Sequence, residues 1–171
     1  MAKSTLGNVR DAPSRSSVWL RRLALGALLS VLILSLTGLL GNMNRTVTTT
    51  EQDFTLSLEY PRVARAGLDV PWELTISAPG GFGQEEVVVR ASTEYFSLFQ
   101  FHDITPQPEA ESTDGTFTYW RFSAPAEAEE LVVSVNHTVK PRMWSGASGT
   151  VGLMVDGQVV APLEFTTTLI P

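Results

Sequence analysis

An all-β body carried behind one apolar helix is the architecture this sequence predicts, and three observations predict it. Beyond Asp53 the apolar residues recur with a period of two, in short runs. Gly- and Pro-rich breakers separate those runs, and no long stretch there carries the period of an amphipathic helix. Ahead of them lies "LALGALLSVLILSLTGLLG", Leu23 to Gly41, a run without a single charge.

As a helix that run would be about 28 Å long, close to the roughly 30 Å hydrocarbon thickness of a bilayer. Residues 1–22 carry Lys3, Arg10, Arg15, Arg21 and Arg22 against Asp11, a net charge of +4. Basic flanks stay on the cytoplasmic side. The expectation is therefore a basic cytoplasmic tail (1–22), a transmembrane helix (23–41) and an exported C-terminal body: a single-pass protein of the cell membrane. A cleaved signal would need a shorter apolar region and a small-x-small site, and "TGLLGNMNRT" offers none. Leu20 stands where a twin-arginine signal prefers Ser or Thr, which leaves a retained signal-anchor as the reading. Residues 42–52, "NMNRTVTTTEQ", have no apolar face and read as a short polar stalk.

The body, 53–171, resolves into strands in order. "DFTLSLEYP" places Phe54, Leu56, Leu58 and Tyr60 on one face, and "LDVPWELTIS" does the same for Leu68, Val70, Trp72, Leu74 and Ile76. "EEVVVRAS" is short and β-branched, and "TFTYWRFS" carries aromatics on both faces. "ELVVSVNHTV" aligns Leu131, Val133, Val135 and His137, with Val139 extending the row. The last two strands flank Asp156-Gly157, a dipeptide suited to the positive φ angles of a two-residue hairpin. Seven or eight short strands predict an antiparallel β-sandwich. Their order resembles an immunoglobulin-like or fibronectin type III-like domain, with "PAEAEELVVSV", 125–135, resembling the loop-and-strand passage late in such sandwiches. That resemblance implies binding or scaffolding rather than catalysis.

Composition narrows the chemistry. There is no cysteine, which removes disulfides, thiolate metal sites and a cysteine nucleophile together. The overall charge of −6 divides into the basic tail, Arg45, and residues 51–171, whose six Lys and Arg face seventeen Asp and Glu, a net −11. Such a body would be repelled by phosphate backbones, so no nucleic-acid partner is expected. Two histidines are too few for a transition-metal site of three or four protein ligands. "SGASG", 145–149, lacks the spacing of a nucleophile elbow, and "PGGFGQ", 79–84, leads into a strand instead of a helix N-terminus. Neither an enzyme, nor a cofactor, nor a metal is expected.

Two segments stand out as candidate partner contacts. In "TEYFSLFQFHDITPQPE", Tyr95, Phe96, Phe99 and Phe101 crowd beside His102, and the three-residue spacing of Phe96 and Phe99 suits one helical turn. These aromatics either plug one end of the core or form an exposed anchor patch. The loop "KPRMWSGASG" brings Arg142 and Trp144 together on an otherwise acidic body. The expected role is a non-enzymatic accessory or adaptor subunit for another membrane or envelope protein. A carbohydrate or small-ligand module on the cell surface is the alternative, with Tyr119, Trp120 and Trp144 as its stacking platform.

Overall fold

A computed structural model describes residues 15–36, 43–83, 86–141 and 146–170, and divides them between two units, 1–41 and 42–171. In the first unit, helix α1 runs Arg15–Leu36 and takes up Arg21 and Arg22, so it begins within the segment expected as a tail. Leu20, Leu23, Leu25, Leu28, Val31 and Leu32 are all exposed, which leaves apolar surface on every side of the helix. The Ser30 hydroxyl donates to the Gly26 carbonyl 2.8 Å away, so the helix itself satisfies this polar group. Among the described residues no helix is long and apolar enough to cross a membrane. The description of α1 stops at Leu36, and 37–41, the rest of the expected span, lie outside the described residues.

The second unit is built almost wholly of strands: β1 (Met43–Glu51), β2 (Phe54–Arg65), β3 (Asp69–Ser77), β4 (Val87–Ser92), β5 (Phe99–Thr105), β6 (Ala110–Thr113), β7 (Phe117–Phe122), β8 (Glu130–Val139), β9 (Ala147–Val155) and β10 (Gln158–Ile170), with a short helix α2 (Thr93–Ser97) after β4. They form one ten-stranded sheet in the order β5-β8-β3-β2-β10-β9-β4-β7-β6, and β1 pairs β2 off that path. Trp72 of β3 and Trp120 of β7 sit five strands apart along the path, about 24 Å in a flat sheet. Their ring centroids are 6.3 Å apart, so the sheet is folded over and its two halves face each other.

Two corrections to the sequence reading follow. The expected seven or eight strands in two purely antiparallel sheets are ten strands in one sheet. The reason is β10: Gln158–Thr167 pair antiparallel with β9, then Thr168–Ile170 pair parallel with Val63–Arg65 of β2. The expected stalk is also strand. β1 pairs with β2 from Glu51↔Phe54 to Met43↔Val63, and hydroxyls meet across it at Thr48–Ser57 (3.2 Å) and Thr50–Thr55 (3.0 Å). Backbone pairing and a hydroxyl row hold β1 with little burial, which is why no apolar alternation announces it.

The alternations of the other strands hold. Leu56, Leu58 and Tyr60 are buried in β2, Val70, Trp72, Leu74 and Ile76 in β3, and Val133, Val135, His137 and Val139 in β8. Leu68, expected on the β3 face, precedes the strand and is exposed. Asp156 (φ 51°) and Gly157 (φ 75°) form the hairpin between β9 and β10 as expected.

Candidate functional site

The aromatic segment resolves into core and unassigned parts. α2 is the single helical turn that the Phe96–Phe99 spacing suggested, and it rotates Tyr95 inward. Tyr95 and Phe99 are buried, and Phe96 is half-buried with its ring edge-on to Trp72 (5.5 Å) and Trp120 (5.3 Å). Tyr95 and Phe99 therefore plug the fold, and Phe96 packs against that plug with part of its surface left open. Phe101 and His102 lie in β5, but their side chains fall outside the described residues; Arg142 and Trp144 fall outside them altogether. His137 is a core residue, its ring 4.2 Å from that of Phe99.

Tyr95 also carries a buried polar chain. Thr167 Oγ1 donates to the Pro61 carbonyl at 2.6 Å, which uses its only proton. The Tyr95 hydroxyl, 2.9 Å from Thr167 Oγ1, must therefore be the donor in that second bond. Burial pushes the Tyr95 hydroxyl well above the usual tyrosine range, against a smaller lowering by its bond to Thr167.

The same core takes Trp120 out of the stacking platform expected for sugars. Trp72 and Trp120 are buried, and Trp144 lies outside the described residues. Tyr119 remains at the surface, but its hydroxyl is held by Asp114 at 2.8 Å. Asp114 organises the turn between β6 and β7, accepting from the amides of Phe117 (2.7 Å) and Thr116 (2.8 Å). The Phe117 amide, then the Tyr119 hydroxyl, then the Thr116 amide hold the Asp114 carboxyl below its ordinary range.

What emerges on the surface is a cation–aromatic face on β4 and β7. The outward parity of β7 carries Phe117, Tyr119 and Arg121, whose register partners on β4 are Ser92, Arg90 and Val88. The Arg90 guanidinium lies over the Phe117 ring, 4.1 Å from its centroid. Its Nε is buried with no hydrogen-bond acceptor among the described residues, so the ring is its principal partner. Arg121 pairs with Glu86 at 3.0 Å, and both remain about half exposed. The signal for this face was the double-sided aromatic pattern of "TFTYWRFS": one parity fills the core and the other is displayed.

Among the described residues no group of three or more His, Asp or Glu is placed to hold a metal. The class these observations define is a mostly β body folded from a single sheet, with its aromatics shared between core and one displayed face. No protein-family model matches the chain. No curated protein matches it either. Among solved structures it is similar to the CARDB domain of the PF1109 protein from Pyrococcus furiosus, a complex with di-metal ions, at 18% identity and a TM-score of 0.46, covering 74% of this chain and 95% of that one. A cohesin module from a Clostridium perfringens family 33 glycoside hydrolase is similar at 12% identity and a TM-score of 0.43, over 75% of this chain and 98% of the module. The collagen-binding domain of a Staphylococcus aureus adhesin follows at 9% and 0.38, over 70% and 99%. At such identities and scores these likenesses say nothing about ligand or partner.

Proposed function

We propose that this chain is a single-span membrane protein whose β body works outside the cytoplasm as a non-catalytic accessory subunit bound to another envelope protein. The observation that carries the anchor is the uncharged run Leu23–Gly41 behind a net charge of +4, supported by a helix whose apolar side chains are exposed all round. β1 begins two residues beyond Gly41, so a spanning run leads into the folded body with almost no linker. The body must then act close to the membrane, which favours a neighbouring membrane protein as its partner.

The perturbed ionisable groups support a binding role over a catalytic one. Asp114 and Tyr119 hold a turn, and Tyr95 holds the core. Arginine and aromatic residues are the side chains most enriched at interface centres, and β4 and β7 display them together. The sequence segment that holds Arg142 and Trp144 is the second contact we assign to the partner.

Membrane fractionation with alkaline carbonate washing, combined with protease accessibility on intact cells, tests the anchor. The chain should stay with the membrane and its body should be cut only from outside. Crosslinking followed by purification from native membranes tests the partner. Recovery of the chain alone, or loss from the membrane in carbonate, overturns the reading.

A further inference from the structure

We propose that two copies of this chain pair edge to edge along β1, antiparallel and centred on Thr48. The inference rests on the folded body and holds whether or not the chain is anchored.

Among the described strands β5, β6 and β1 are laddered on one side only, and the first two are blunted. β6 is only four residues long and follows Pro106 and Pro108. β5 is broken by a bulge between Phe101 and Asp103, and a charge sits at the break. Short strands, prolines, bulges and charges are the devices that stop one edge from adding to another. Along residues 44–51 β1 has neither proline nor bulge, and its only charges, Arg45 and Glu51, stand near its two ends. It pairs with β2 alone among the described strands, and its single irregularity lies at its start, between Met43 and Asn44. Residues 46–50, "TVTTT", are five consecutive β-branched residues, the composition that best supports an extended ladder. The backbone groups of β1 that point away from β2 join no other strand's ladder among the described residues, and the approach of β10 is marked by the Ala161 amide on Glu51.

The sequence of that edge is complementary to itself in one register. Centred on Thr48, Arg45 lies opposite the partner's Glu51, and Glu51 lies opposite the partner's Arg45. Directly opposed residues share a face, so each pair brings unlike charges together. Arg45 and Glu51 are both exposed, and neither has an ion pair among the described residues. One Glu51 oxygen accepts the Ala161 amide at 2.8 Å, and the other stays available to a guanidinium. On the opposite face Thr46 meets the partner's Thr50, and Thr48 meets the partner's Thr48. These contacts continue the hydroxyl pairs that already join β1 to Ser57 and Thr55. Val47 meets the partner's Thr49. A two-fold axis through Thr48 makes the interface isologous and closed, so it ends at two copies.

The absence of cysteine from the chain makes the test clean. In the full-length protein, Thr48→Cys should give a disulfide-linked dimer under mild oxidation. A mixture of Thr46→Cys and Thr50→Cys chains should link to each other more readily than either links to itself. Glu111→Cys on β6 serves as the control edge and should stay monomeric. Arg45→Glu, which faces the partner's Glu51 with a like charge, should shift wild-type dimer to monomer in analytical ultracentrifugation. Arg121→Glu should leave the dimer intact, and unchanged tryptophan fluorescence will show that both variants fold. Linking at Thr48 no faster than at Glu111, or a wild-type chain that sediments as monomer, overturns the proposal. So does a dimer that Arg45→Glu leaves unchanged.

Discussion

Thr167→Val should be markedly more costly than Tyr95→Phe, although each removes one hydroxyl from the same buried pair. In Tyr95→Phe, Thr167 still donates to the Pro61 carbonyl and only an acceptor site goes unused. That loss is one ordinary hydrogen bond, about 1 kcal/mol. Thr167→Val keeps the volume but strands two groups at once: the Tyr95 hydroxyl loses its acceptor, and the buried Pro61 carbonyl loses its donor. At roughly 1–3 kcal/mol for each buried orphan, the cost is about 2–6 kcal/mol. The double variant leaves only the carbonyl unsatisfied, so it should lose less than the sum of the singles by about 1–3 kcal/mol. Urea unfolding of the full chain in mild detergent, followed by tryptophan fluorescence, measures all three at constant slope. Additive effects, or a Thr167→Val no worse than Tyr95→Phe, would refute the assigned donor directions.

Other outcomes follow from the same geometry. Gly149→Ala should destabilise by about 1–3 kcal/mol, because a Cβ there would sit 2.8 Å from Phe165 Cζ and 3.0 Å from Tyr95 Cβ; the same unfolding curve reads it. Burial raises the Tyr95 hydroxyl, so the unfolded chain ionises it first and the protection is present below the ordinary tyrosine value. Stability should therefore fall as pH rises above about 10, and Tyr95→Phe should flatten that fall. Asp114 is lowered, so its contribution is present above the ordinary carboxylate value and disappears as pH falls below it. Asp114→Ala should speed hydrogen exchange at the Phe117 amide at neutral pH and remove its acid dependence.

Burial was the readable signal in this sequence. Where one face of a strand meets the core, as at Val133, Val135, His137 and Val139, alternation located the strand and even its histidine correctly. The turn chemistry of Asp156-Gly157 was equally legible, because the φ angles it needs are local. β1 was not legible, since its hairpin to β2 turns at Gln52-Asp53, which lacks the glycine that marks such turns, and its residues gain almost no burial. The candidate contacts divided along the same line. Tyr95 and Phe99 could be read as aromatic but not as inward, because α2 sets their direction and tertiary packing fixes α2. The Arg90–Phe117 contact joins two strands across α2, β5 and β6, a distance no local pattern reports.

Strand β10 has a consequence for how the body comes into being. It joins β9 to β2, and without it the strands between β5 and β2 and those between β9 and β6 are two separate sets. It is also the last of the ten to leave the ribosome or a translocation pore. Its pairing with Val63 closes a loop of roughly a hundred residues, the kind of distant contact that slows folding. The two sets of strands can therefore be joined into one sheet only once that segment has been made.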